Sequence, residues 1–143
     1  MKMSLRPFHL AIAVNDLAAA RAFYGGLLGC AEGRSDSQWV DFDFYGHQLV
    51  CHLDTRAEVR KPDVQNLVDG HGVPVPHFGL VLDMPAWKLT RDRLVAAGVG
   101  FVIEPTIRFK GKVGEQATMF FCDPAGNPLE IKAFASLDQL FAK

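Results

Sequence analysis

The sequence predicts an α+β fold made of two copies of one unit, each running strand, helix, three strands. The first observation behind this is a repeat: Phe8-His9-Leu10-Ala11-Ile12-Ala13-Val14 returns as Pro76-His77-Phe78-Gly79-Leu80-Val81-Leu82. Leu10, Ile12 and Val14 fall on Phe78, Leu80 and Leu82, while His9, Ala11 and Ala13 fall on His77, Gly79 and Val81. Alternate side chains of a strand point to opposite sides, so each copy has one bulky apolar face and one face carrying a histidine among small residues. The second observation is that a capped helical pattern and then strand-like runs follow each of these segments. The third is size: 143 residues, 49% of them apolar, suffice for one compact core.

Asn15-Asp16 offers an N-cap after the first strand, and Leu17, Ala20, Phe23, Tyr24, Leu27 and Leu28 recur at helical spacing before Gly29 stops the pattern. Trp39 to Phe44 then alternates Val40, Phe42 and Phe44 against Trp39, Asp41 and Asp43, and Tyr45-Gly46-His47 turns the chain into Gln48 to Leu53. In the second half, Asp83 precedes Pro85, a good first-turn residue. Trp87, Leu89, Leu94, Val95 and Ala97 form a less regular stripe up to Gly98. Val99 to Glu104 and Ala117 to Cys122 read as strands, and Asp123-Pro124-Ala125-Gly126-Asn127 is a dense turn signal before Leu129 to Phe134. The glycines and prolines of Gly70 to Pro76 suggest a linker, preceded by an exposed loop over Thr55 to Gln65. Ser136 caps a short final turn presenting Leu137, Leu140 and Phe141. The whole chain reads as one domain: module 1 over about 5–54, a linker over about 55–75, module 2 over about 76–134 and a short C-terminal helix over about 136–142.

A formal net charge of −1 and the lack of any Lys/Arg run argue against nucleic acid or a membrane surface as partner, which leaves small molecules. No stretch approaches the ~18 to 20 apolar residues of a membrane span. The N-terminus lacks a signal-peptide pattern, so a cytoplasmic location is expected. The three cysteines, Cys30, Cys51 and Cys122, read as free thiols with packing roles in a reducing compartment.

In Leu129-Glu130-Ile131 the two aliphatic residues face a helix, so parity sends Glu130 to the opposite surface. In Leu49 to Leu53 the same argument pairs Val50 with His52 on that surface. First strands thus supply His9 and His77, and last strands supply Glu130 and His52 or Val50. A lone strand histidine is more often a hydrogen-bonded or surface residue than a ligand. Two imidazoles and a carboxylate on rigid strands, however, suit a divalent first-row metal and leave coordination positions open. His47 reads as a turn residue and His71 as a solvated linker residue.

These features together resemble the vicinal oxygen chelate superfamily, which includes glyoxalase I, extradiol dioxygenases, and the fosfomycin- and bleomycin-resistance proteins. The residues that carry the resemblance are the His9 strand with Asn15-Asp16-Leu17, Phe23-Tyr24 and Leu27-Leu28-Gly29, the His77 strand, and Asp123-Pro124-Ala125-Gly126-Asn127-Pro128-Leu129-Glu130. The resemblance implies tandem βαβββ modules forming a curved mixed-sheet trough around one metal ion, Fe(II), Mn(II), Ni(II) or Zn(II). It also implies His9, His77 and Glu130 as ligands, and a homodimer. Glyoxalase I places glutamate or glutamine at the fourth position. Here alignment by the hairpin glycines puts Val50 there and alignment by strand ends puts His52 there. The two share parity and differ by about 6 to 7 Å in depth.

Arg108 to Glu115 is a glycine-bearing loop with three cations. It is either a solvated hairpin or a lid in which Arg108 or Lys110 meets an anionic substrate. Trp39 and Phe109 would supply flat apolar contacts. Glu115 serves either in a salt bridge or as a general base. The expected function is that of a metal-dependent dioxygenase or glyoxalase-like lyase or isomerase acting on the vicinal oxygens of a small anionic or phenolic substrate. The alternative is a metal-free protein that sequesters a bleomycin-type antibiotic, which Asp41 and Asp43 would favour if they line the cleft.

Overall fold

The computed structural model describes residues 5–56, 64–68 and 71–143. They form two compact units, Met1–Arg60 and Lys61–Lys143.

In the first unit, β1 (His9–Val14) leads into α1 (Leu17–Ala20), capped by the Asp16 carboxylate, which accepts the Ala19 N–H at 3.0 Å. Such a cap is worth about 1 kcal/mol. The single α-helix expected as far as Gly29 does not form. From Arg21 to Leu27 the chain continues as a π-helix, and the Leu28 N–H bonds to the Phe23 carbonyl at 2.9 Å. The wider turn, at the weak helix formers Gly25 and Gly26, lets the consecutive Phe23 and Tyr24 both face inward. Their rings meet edge to face at 4.9 Å, and Tyr24 reaches Phe42 at 5.6 Å. Strands β2 (Ala31–Ser35), β3 (Trp39–Phe44) and β4 (His47–Leu53) complete a sheet of order β1-β4-β3-β2, with β1 and β4 parallel and the other pairs antiparallel. His47 is not a turn residue: it opens β4, and its Nδ1 accepts the Phe8 N–H at 2.7 Å.

The second unit repeats this topology. Its order is β7-β10-β9-β8, formed by β7 (Phe78–Asp83), β8 (Phe101–Arg108), β9 (Gln116–Cys122) and β10 (Pro128–Phe134), with β7 parallel to β10. Two mixed sheets, each with one helical connection, bear out the α+β expectation. Helix α2 (Met84–Ala96) is capped by Asp83, which accepts the Ala86 N–H at 2.8 Å. It buries Met84, Trp87, Thr90 and Leu94, whereas Leu89 and Val95 face solvent. The true stripe follows steps of three and four from Met84; the expected set shares Trp87 and Leu94 with it but lacks Met84 and Thr90. Trp87 lies under β10 and donates its indole N–H to the Ile131 carbonyl at 2.9 Å.

Where a linker was expected, β5 (Val64–Val68) and β6 (His71–Pro74) form an antiparallel hairpin. Backbone pairing here overrides a composition rich in Gly and Pro. Much of the Thr55 to Gln65 loop, together with Gly70 and the side chain of His71, lies outside the described residues. Strand β8 runs on through Pro105 to Arg108, beyond the expected end at Glu104. The final helix is a 3-10 turn, Leu137–Phe141, that Ser136 does not cap through its side chain. Among the described residues, no helix is long and apolar enough to cross a membrane.

Candidate functional site

The turn Asp123 to Asn127 sets the start of β10. One Asp123 oxygen accepts the N–H groups of Ala125 (2.9 Å) and Asn127 (2.8 Å), and the other accepts the Asn127 side-chain N–H (2.9 Å). From there parity acts as expected. Leu129, Ile131 and Ala133 are fully buried, while Glu130, Lys132 and Phe134 turn to the other face and line a cavity of about 520 Å³.

Glu130 and His77 meet within this unit. The His77 Nε2 lies 3.4 Å from Glu130 Oε1, and both side chains are largely buried, at 26% and 17% exposure. The other oxygen of Glu130 accepts the Thr118 hydroxyl at 2.6 Å, which fixes the carboxylate plane. The imidazole is fixed as well, because its Nδ1 is 2.6 Å from the Pro74 carbonyl oxygen. A carbonyl only accepts, so Nδ1 carries the proton and Nε2 is left to face Glu130. The ring meets that of Phe120 in a T-shaped arrangement, with centroids 5.0 Å apart.

Gly79 explains how Glu130 comes so close to β7. It stands opposite Glu130 in the parallel register, and a β-carbon at this position would lie 1.5 Å from the Glu130 carbonyl oxygen. No side chain larger than hydrogen fits there without moving β10.

The rest of the cavity pairs cations with apolar surface. Arg108 and Lys132 line it together with Val73, Ile103, Phe120 and Phe134. Lys132 escaped the sequence reading, although its spacing of two from Glu130 puts it on the same face. Thr118 escaped it too, since only the β9–β10 register brings it beside Glu130. Lys110 and Phe109 follow Arg108 in the loop and are not part of the lining. The Arg108 guanidinium lies 5.2 Å from the Phe109 ring centroid. The Glu115 carboxylate accepts the Gly111 N–H at 2.7 Å, which ties the loop to itself.

The remaining candidates belong to the first unit. His9 is exposed at the start of β1, and its Nδ1 is 2.8 Å from Gln48 Oε1. His52 is exposed and stands between Ala13 of β1 and Trp39 of β3. Trp39 is half-buried, with the Arg34 guanidinium 5.9 Å from its ring. Register separates the two candidates that parity could not. Val50 pairs with Ala11 as Glu130 pairs with Gly79, so within the repeat Val50 is the counterpart of Glu130, and His52 that of Lys132.

Among the described residues, no three His, Cys, Asp or Glu side chains gather as a ready metal cluster. The chemistry of the His77 and Glu130 pair nonetheless fits a divalent ion. An imidazole whose far nitrogen is tied to a carbonyl and a carboxylate anchored by a hydroxyl are oriented as metal ligands usually are.

A family model described as the Glyoxalase/Bleomycin resistance protein/Dioxygenase superfamily matches residues 6–131. No curated protein matches the chain significantly. Among solved structures, a glyoxalase/bleomycin resistance protein/dioxygenase from Alicyclobacillus acidocaldarius is 32% identical, with 99% of each chain covered and a TM-score of 0.76. The fosfomycin resistance protein FosX from Listeria monocytogenes is 19% identical, with 97% of this chain and 98% of that one covered and a TM-score of 0.68. A lactoylglutathione lyase from Agrobacterium tumefaciens is 21% identical, with 99% and 100% covered and a TM-score of 0.63. The last two share the fold. The repeated strand–helix–three-strand unit, the His77 and Glu130 placement and the match over most of its length together make this chain a member of the glyoxalase/bleomycin resistance protein/dioxygenase superfamily, the vicinal oxygen chelate proteins.

Proposed function

We propose that this chain is a divalent-metal-dependent enzyme of the glyoxalase/dioxygenase type acting on a small anionic substrate. His77 and Glu130 hold the metal with His9 as third protein ligand, given by the same chain or by a second copy in a homodimer. The observation that carries the proposal is the His77 Nε2 to Glu130 Oε1 approach of 3.4 Å beside a cavity with two cations. Val50 as the counterpart of Glu130 favours three ligands over four and leaves His52 outside the set.

Held by His77, Glu130 and His9, a divalent ion would supply Lewis acidity toward the vicinal oxygens of a substrate. The chain's own groups do the rest. Arg108 and Lys132 draw in the anionic end of the substrate by charge complementarity, a task that falls to Arg108 rather than Lys110. Ile103, Phe120 and Phe134 receive its apolar part and exclude water, which strengthens every charge interaction nearby. Thr118 keeps one Glu130 oxygen occupied so that the other stays directed at His77. The Arg108 and Lys132 charges disfavour the alternative of sequestering a cationic, bleomycin-type drug in this cavity. Three cysteines outside any disulfide fit a reducing, cytoplasmic setting.

Elemental analysis of the purified protein tests the proposal. About one divalent ion per chain is expected in the parent, with its loss in His77→Ala and in Glu130→Ala. A parent that takes up no Fe(II), Mn(II), Ni(II) or Zn(II) on reconstitution overturns it.

A further inference from the structure

His9 is tied to a buried carboxylate through one intervening amide. Asp41, on β3, is only 8% exposed although charged. Its Oδ2 accepts from the Gln48 side-chain nitrogen at 3.1 Å, and Gln48 Oε1 lies 2.8 Å from His9 Nδ1. The geometry points to a positioning relay, Asp41 to Gln48 to His9, that sets which nitrogen of His9 is free to ligate. This inference rests on the metal reading above for the role of His9, though not for its tautomer.

The direction of each bond follows from what each group can do. A carboxylate only accepts, so the NH2 of Gln48 must be the end that meets Asp41. The amide is then held the other way round at His9, presenting its carbonyl oxygen, which also only accepts. Nδ1 of His9 therefore carries the proton, and Nε2 is left with its lone pair. Free imidazole favours the opposite tautomer, with the proton on Nε2, so the relay works against an intrinsic preference. The backbone holds the pieces in register. His9 stands directly opposite Gln48 in the β1–β4 pairing, and that pairing is fastened just ahead of His9, where the Gln48 N–H bonds to the Phe8 carbonyl at 2.8 Å. Asp41 and Gln48 touch no reacting atom in this scheme; they act through His9.

Nitrogen-15 chemical shifts of the imidazoles report the tautomer directly. They would be read by long-range proton–nitrogen correlation on the full chain after chelator treatment, at a pH where imidazole is neutral. The parent is expected to show His9 with its proton on Nδ1. Gln48→Leu, at an exposed position and therefore mild for folding, and the nearly isosteric Asp41→Asn should each move His9 toward the Nε2–H form while leaving His77 unchanged. In a competition assay with a chromophoric chelator, Zn(II) affinity should fall about 10- to 100-fold in Gln48→Leu and less in Asp41→Asn. A parent His9 in the Nε2–H form, a tautomer unmoved by Gln48→Leu, or a Zn(II) affinity equal to the parent's in both variants overturns the relay. A parent that binds no Zn(II) but shows the expected tautomer shifts overturns the role of His9 as ligand and, separately, the proposed function.

Discussion

The two units place a histidine at the same point of the same topology and secure it by different means. In the second unit the Pro74 carbonyl, part of the backbone, holds His77. In the first unit Gln48, itself held by Asp41, holds His9. A backbone acceptor cannot be lost by substitution, whereas a side-chain acceptor can. The units differ also in what stands beyond the histidine. Glu130 with Gly79 in one becomes Val50 with Ala11 in the other, so the repeat keeps its architecture but supplies the acid once.

The sharpest way to break this comparison is to exchange the small residues opposite those two positions. In Gly79→Ala the new methyl group meets the Glu130 backbone at 1.5 Å, so β10 must shift. Overpacking of this kind costs about 1–3 kcal/mol or more, and metal content measured on whatever folds should drop with it. Ala11→Gly, at the equivalent place, should cost only about 0.5–1 kcal/mol in denaturant melts and spare the metal. Equal effects from the two would mean that the close approach in the second unit has no consequence for the site.

Thr118→Val sharpens the comparison at an intermediate level. It removes the hydroxyl that anchors Glu130 but keeps the shape, and metal affinity should weaken by about tenfold with little change in melting temperature. An unchanged affinity would show that the Glu130 carboxylate needs no anchor.

The smallest effect concerns two of the three thiols, Cys30 in the first unit and Cys122 in the second. Burial, with a lesser part from Asp43, pushes Cys30 up to about 11, and burial followed by Asp123 raises Cys122. A thiol raised on folding keeps its contribution to stability below its ordinary value of 9.0 and loses it as pH climbs toward about 11. Stability should therefore fall slightly between pH 9 and pH 11, and less so in Cys30→Ala, as followed by urea midpoints. At neutral pH, alkylation should reach the partly exposed Cys122 before the buried Cys30.

Much of this was legible in the sequence because the signals were local. The repeat of His9 as His77 exposed the two units, and alternation in Leu129-Glu130-Ile131 oriented Glu130 correctly. Asp16 and Asp83 marked both helix starts. Other features depended on pairing between distant residues. The β5–β6 hairpin was hidden because its glycines and prolines resemble a linker until the strands are seen to bond. The π-helix depends on Phe23 and Tyr24 both finding a core. The choice between Val50 and His52 was beyond parity, which repeats every two residues; only the β1–β4 register distinguishes them. Lys132 and Thr118 became visible as site residues once the cavity gave the open face of β10 a depth.

The Asp123 to Asn127 turn works as a ruler. Its hydrogen bonds count out five residues and no other number, and on a strand the count decides which side chains see the cavity. One residue more would carry Glu130 round to α2 and deliver Leu129 in its place. The most recognisable stretch of the sequence is thus one that performs no chemistry: its composition is constrained because the length of the turn, like the phase of a gear, fixes where the acid arrives.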